Sequence, residues 1–384
     1  MDTDPFKLTL TKHQDRRNRL INYTVAALLG ATVLVSLQIC YTNVDSKALN
    51  LQLFDQDANS ETMKAYINYL AESKKTFADR QSQADRYRNF KANYEMIKNH
   101  NLYSDSLPFE MELNHFADMS REEFVTYHRL RVPRPLSQPE TPALARGHGR
   151  RSVDRFDKAS EDLPLVKSWV EEGAVSSPYD QRQCGSCWAF STAATLESLA
   201  VIAGKFEAPR EFSVQQLIDC DTTNNGCDGG WMYKGYRYAS KFGMMPKDNY
   251  PYIAKEGQCK YDKDLVIFKN VGMVQEEALS NNKLKELVNK QPVAVGINAN
   301  ENLRFYKSGV LTEEFLKCSN PDEPVNHGVV IVGFGKVARG EKGSGFCKEY
   351  WLIRNTWGTN WGEKGFFKLC MDGAGSDEVP YGIC

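Results

Sequence analysis

Residues 181–191 read QRQCGSCWAFS and hold the chain's strongest candidate for nucleophilic chemistry. A turn of small residues, Cys184, Gly185 and Ser186, leads straight into an apolar, helix-forming run over 188–202. Cys187 is therefore predicted in the first turn of a helix. A thiol there faces unpaired backbone N–H groups and the positive end of the helix dipole, and both favour the nucleophilic thiolate. Two cysteines three apart also suit a redox pair, one arm of a zinc site, or a disulfide framework. The redox reading wants a preceding strand, whereas residues 174–182 are turn-rich. No histidine lies at ligand spacing from a cysteine, so no metal is expected.

A thiolate needs a base that holds its proton and returns it to a leaving group. Five of the six histidines (His13, His100, His115, His128 and His148) precede residue 160, which leaves His327. It opens the apolar run HGVVIVGFG, a predicted strand that would hold the imidazole rigidly. A third group must fix its tautomer. Asn355 follows the predicted strand YWLIR, and Trp357 beside it can shield an Asn–His bond from water. Taken alone, His327 reads as a satisfied core histidine and Asn355 as a turn residue.

Positioning these groups falls to the rest of the 384 residues, enough for two or three domains. Formal net charge is −1, so no nucleic-acid-binding face is implied. Cys40 stands apart from nine other cysteines, all from Cys184 onward. One nucleophile plus four disulfides accounts for those nine and suits an oxidising compartment. Residues 1–19 are polar and basic, and 20–40 carry no charge over a length that crosses a bilayer. The basic flank predicts a signal-anchor, with everything after Tyr41 on the lumenal side; a cleaved signal peptide is the alternative. Residues 41–60 form a spacer. The pattern over 61–101 is helical, with Phe90, Tyr94 and Ile97 on one stripe. Ser120 and Glu123 make a capping box. Residues 131–161 mix prolines, arginines and glycines without hydrophobic period, an exposed linker suited to proteolytic nicking. Beyond it, Ser213 and Gln216 start a helix, NGCDGG is a glycine turn, 231–242 is a helix stopped at Gly243, and 280–290 is another. Alternation then takes over around Val293, His327, Tyr350 and Gly365. Helices first and strands second suggest two lobes with a cleft between them.

The segments from Gln181, from Asn326 (NHGVVIVGFG) and from Asn355 (NTWGTNWGEKGFF), in that order, resemble the papain-like cysteine peptidases, specifically the cathepsin L-like group. The resemblance covers residues 163–384, within a peptidase domain expected over 162–384. It implies an α+β fold with a helical left lobe and an antiparallel, β-barrel-like right lobe. It implies a cysteine endopeptidase without cofactor, acting through a Cys187 thioester, with His327 as the proton carrier, Asn355 orienting it, and Gln181 with the Cys187 N–H as oxyanion hole. Arg86, Phe90, Asn93, Ile97 and Asn101, then Asn114, Phe116 and Asp118, resemble the two motifs of cathepsin L-type propeptides. Residues 61–130 are thus expected to form an inhibitory propeptide and 131–161 its activation linker, in a membrane-anchored zymogen of a lysosome-like or food-vacuole-like compartment, or one secreted after processing. The substrate cleft is expected at Gly229, Gly230, Trp231, Met232, Gly296, Val325, Gly328 and Trp357, mostly apolar or small, which favours an apolar P2 side chain. Protein substrates, the chain's own propeptide and cystatin-like inhibitors are the implied partners.

The family's disulfides map to Cys184–Cys227 and Cys220–Cys259, and Cys318 pairs with a late cysteine. Cys318–Cys384 with an extra Cys347–Cys370 is the first choice; exchanging Cys370 and Cys384 is the second. Arg182 stands where relatives have glycine, Asn326 where many have aspartate, Ser82 and Glu112 where the propeptide motifs have glutamate and glycine. The final strand that supplies the pocket floor in relatives would lie past Cys384. A catalytically silent binding protein on this fold and a transpeptidase are the rival functions.

Overall fold

The computed structural model describes residues 60–75, 80–128, 163–276, 280–317 and 325–371. The expected membrane span, the activation linker, Cys318 and Cys384 lie outside these residues. Among the described residues no helix is long and apolar enough to cross a membrane. The chain divides into two compact units between Lys91 and Ala92.

In the first unit, helix α1 (Glu61–Ser73) starts at Ser60, whose hydroxyl accepts the Met63 N–H at 3.0 Å. It ends where Lys74 turns left-handed at φ 51°. The helical period read over 61–101 is therefore two helices, α1 and α2 (Arg80–Leu102). Tyr66 lies 5.1 Å from Tyr87 and 5.0 Å from Phe90, ring centre to ring centre, so the stripe buries aromatic faces against each other.

The second unit holds a sheet of seven strands: β1 (Phe109–Met111), β2 (Lys167–Ser168), β3 (Val293–Ile297), β4 (Tyr306–Leu311), β5 (His327–Lys336), β6 (Glu349–Arg354) and β7 (Phe366–Cys370). The order is β1-β4-β7-β6-β5-β2, with β3 also paired to β5. All pairs are antiparallel except β4–β7, which is parallel and departs from the wholly antiparallel expectation. Strand β1 comes from the segment expected to inhibit. Asn101 binds it like one more ladder rung, donating to the Met111 carbonyl at 2.8 Å and accepting its N–H at 3.1 Å. Asn93 donates to the Ala117 and Met119 carbonyls and holds the turn that follows. Helix α3 (Arg121–His128) then opens with the reciprocal Ser120–Glu123 box.

The other elements are α4 (Cys187–Ile202), α5 (Val214–Cys220), α6 (Met232–Phe242), α7 (Asn281–Lys290), α8 (Glu301–Arg304) and α9 (Glu313–Leu316). Helix α4 is apolar on nearly every face, the signature of a buried helix, and only its end reaches solvent. Its hydroxyls stay satisfied in the core by bonding back one turn: Thr192 to Trp188 O at 2.7 Å and Ser198 to Ala194 O at 3.1 Å. One side of α4 joins α5 and α6 in a core built on Trp188, Phe190, Leu196, Leu217, Ile218 and Ala239. The other lays Ala194 on Val330 and Val332 of β5. Ser213 caps α5 through the Gln216 N–H at 2.9 Å, yet the Gln216 amide turns inward to Gly243 O and Met245 N, so only half of the expected box forms.

A buried polar cluster ties helix to sheet. Glu197 of α4 accepts from Ser176 Oγ and Phe212 N, while Arg354, ending β6, donates to Ser176 O and Ser177 O. Burial raises the Glu197 carboxyl above the usual range, and Arg354 opposes that rise. Disulfides Cys184–Cys227 and Cys220–Cys259 staple the helical half, and Cys347–Cys370 joins the strand flanks of β6 and β7.

Candidate active site

Helix α4 and strand β5 start at the same end of the molecule. Cys187 is the first residue of α4 and His327 the first of β5. A Cβ at Gly328 would lie 3.5 Å from the Cys187 carbonyl and 3.1 Å from Met232 Sδ, so a side chain there would push strand from helix. No side chain caps α4. Ser186 Oγ instead shares a hydrogen bond with the Tyr252 hydroxyl at 2.8 Å, and the backbone N–H groups of Cys187, Trp188 and Gly328 are left to face the sulfur.

His327 Nε2 lies 2.7 Å from Asn355 Oδ1. That oxygen also accepts the Thr356 N–H at 2.8 Å, which fixes the amide's orientation. Since Oδ1 can only accept, Nε2 carries the ring proton and Nδ1 is the basic nitrogen. Trp357 stacks on the imidazole at 4.9 Å and 28°, and Trp361 meets Trp357 edge-on at 4.9 Å. Both indoles are buried, so water is kept from the His–Asn bond.

Cys187 and His327 are both wholly buried in this state. Burial pushes the thiol up to about 12 against the three backbone N–H groups, and pushes the imidazole down to about 4 against the Asn355 bond. The helix start alone favoured thiolate; here desolvation outweighs it and both groups are neutral.

Gln181 is buried beside them. Its Nε2 donates to Cys184 O at 3.0 Å and its Oε1 accepts from Thr356 Oγ1, which leaves one amide hydrogen for a ligand. Arg182 adopts φ 49°, a left-handed backbone stabilised by Asp180 Oδ1 accepting its N–H at 2.8 Å. A glycine would adopt that conformation without the steric cost an arginine carries.

The expected cleft residues are drawn together across strand pairs. Gly296 of β3 pairs with Gly328 of β5, Val325 packs over Gly296, and Met232 closes on Gly328. Gly229 has φ 107°. At Gly230 a Cβ would meet the Asn224 side chain at 2.5 Å and the Trp188 ring at 2.8 Å. Asn224 Oδ1 accepts the Trp231 N–H at 2.7 Å and sets the direction of this turn.

Sequence reasoning did not single out Arg304 or Phe124. Phe116 and Phe124 meet the Trp357 ring edge-on at 5.1 and 5.6 Å, and Arg304 donates to the carbonyls of Phe116 and Met119. A lone arginine inside the apolar stretch LRFY was the available signal.

Residues 163–379 match the papain family cysteine protease pattern, and 66–124 match the cathepsin propeptide inhibitor domain (I29). The chain belongs to the papain family of cysteine proteases. It is 34% identical over 285 residues to a cathepsin L-like proteinase of Fasciola hepatica, covering 73% of this chain and 80% of that one. It is 37% identical over 294 residues to vignain of Phaseolus vulgaris, covering 74% and 73%. The solved structure of digestive procathepsin L 3 from Tenebrio molitor larval midgut superposes with a TM-score of 0.67 at 28% identity, over 84% of this chain and 98% of that one. The protein is therefore a cysteine-type endopeptidase with a papain-like α+β fold, carried as a cathepsin L-like zymogen with an I29 propeptide.

Proposed function

We propose that Cys187 is the nucleophile, His327 its proton partner, Asn355 the group that orients the ring, and Gln181 an oxyanion donor. The observation that carries this reading is the fixed Asn355–His327 bond, with basic Nδ1, set at the same helix-and-strand end as Cys187. The sulfur attacks the peptide carbonyl carbon, and the oxygen's developing charge is met by the Gln181 amide and the Cys187 N–H. The C–N bond breaks as the imidazolium gives its proton to the amine. Water, deprotonated by His327, then hydrolyses the thioester. Replacing Gln181 with alanine should lower kcat by about 10²–10³, the cost of one oxyanion donor, measured per active site after thiol titration.

In this reading residues 61–130 are the inhibitory propeptide and 131–161 are cut on activation. The apolar walls at Met232, Val325, Gly296 and Gly328 select an apolar P2 side chain. Cystatin-like proteins would compete for the same cleft. The uncharged run at 20–40 anchors the zymogen with its catalytic part on the lumenal side, and activity belongs to an acidic, lysosome-like or food-vacuole-like compartment. The test incubates the full chain at about pH 5, in the acidic range this reading assigns to the enzyme, and sequences new N-termini. Cleavage within 131–161 by the wild type but not by Cys187→Ala is the expected result; identical patterns in both would mean that the cut is made by another protease.

A further inference from the structure

We propose that Arg304 is an anion-binding residue on the leaving-group side of the cleft and gives the activated enzyme a preference for substrates carrying a carboxylate there. This rests on the catalytic reading above. Arg304 ends the short helix α8 and is 1% exposed. A buried guanidinium must have its donors met. Here the inhibitory segment meets two of them: Nη2 donates to the Phe116 and Met119 carbonyls, and the Phe124 ring lies 5.1 Å from the guanidinium carbon. Asn114 of the same segment binds the Arg304 carbonyl at 2.8 Å.

The position of that charge decides what it can recognise. The Trp361 indole also donates to the Arg304 carbonyl, at 3.1 Å, and so fixes the backbone of α8 to the Trp357–Trp361 stack. The guanidinium lies between the Phe305 ring, at 4.5 Å, and the Phe124 ring; Phe124 and Phe116, whose carbonyl accepts from Arg304, both pack on Trp357, and Trp357 covers His327. A leaving amine takes its proton from His327, so the departing chain runs out past Trp357. Once residues 114–124 are released, the ground they occupied is open to that chain, and the guanidinium beneath it has lost two acceptors. A carboxylate, planar and doubly accepting, is the group that best replaces two carbonyls on one arginine. Either an Asp or Glu side chain just after the scissile bond or a nearby chain-terminal carboxylate supplies it.

One local group opposes this. Glu301 sits at the other end of α8 and is held in the zymogen by Arg121 at 3.0 Å. Release of the propeptide takes Arg121 away from Glu301, which lies three residues before Arg304 on the same helix, and Glu301→Gln should sharpen the preference.

The experiment uses the full chain after activation, with active sites counted by a thiol-directed epoxide. Internally quenched peptides carry Asp, Asn or Ala in the first two positions after the cut. A second series ends there with a free or amidated terminus. A ratio of kcat/KM for Asp over Asn, or for acid over amide, of about tenfold is expected, the scale of one charge-assisted hydrogen bond. It should fall toward one in Arg304→Gln and in wild-type enzyme at 1 M salt. The first series reports a side-chain carboxylate and the second a terminal one. The salt arm stands if the variant does not fold. Ratios near one in both series, with Cys187 labelled, would overturn the proposal while leaving the catalytic reading intact; an unlabelled Cys187 would overturn that reading instead.

Discussion

Replacing Cys187 with alanine is expected to lower kcat/KM for peptide hydrolysis by on the order of 10⁶, the loss seen when a protease's covalent nucleophile is removed. That corresponds to about 8 kcal/mol of transition-state stabilisation. In the proposed mechanism the effect is large because Gln181, His327 and Asn355 all act on a bond that only the sulfur makes. Stability should change little. Cys187 is wholly buried at the start of α4, but the change removes one sulfur atom from a site with backbone N–H neighbours. The thiol chemistry also separates the two cysteines of the motif. Cys184 is bonded to Cys227 and holds the turn, with Gly185 N donating to Cys227 O at 2.8 Å. A redox protein would need both sulfurs in the reaction. Here Cys184→Ser with Cys227→Ser is expected to cost stability, read by thermal unfolding, far more than intrinsic turnover.

Alkylation of Cys187 by iodoacetamide at pH 6 is expected to accelerate by at least about 10³ when the propeptide is cut, because only thiolate reacts. In the closed state burial pushes the thiol up to about 12 and the imidazole down to about 4, which favours a neutral pair at pH 6. Removing the desolvation lets the proton move from sulfur to Nδ1; a His-paired cysteine of the papain family titrates at about 3–4. That transfer keeps one proton on the Cys187–His327 pair, so the pair itself does not link opening to pH. Two groups of the propeptide do. His100, lowered by its burial, takes up a proton more readily once exposed, so falling pH favours opening through it. Glu112, raised by burial, acts in the other direction, since the closed state keeps its proton. Processing is therefore expected to gain less from falling pH in His100→Gln than in the wild type, measured as the rate of appearance of the shortened chain. Identical pH profiles for the two would contradict this assignment.

Most of what positions the site is legible from residue periods. The largely apolar run after Cys187 points to a buried helix, and the alternations after Val293 and His327 point to strands. The same patterns are silent on pairings made at a distance. Strand β1 is only three residues long and carries no period of its own, so its addition to β4 is a property of the folded edge. The parallel β4–β7 contact likewise depends on the chain path between them. Helix α1 ends at a left-handed residue, Lys74, with no glycine to announce it. At the site itself, the types and order of Cys187, His327 and Asn355 could be read directly. The neutral state of the pair could not, because it follows from burial. Arg304 escaped for a related reason: its partners lie about 190 residues earlier, at Phe116 and Met119.

The central claim is that Cys187 is the activated nucleophile of a self-processing zymogen. Its most direct test treats the full chain at pH 5 with a thiol-directed epoxide and locates the adduct by mass spectrometry. The account predicts one adduct, on Cys187, formed only after a mass drop that places the new N-terminus within 131–161, and absent when His327 is replaced by alanine. A processed, folded chain that takes no adduct on Cys187, or takes it equally well without His327, would contradict it.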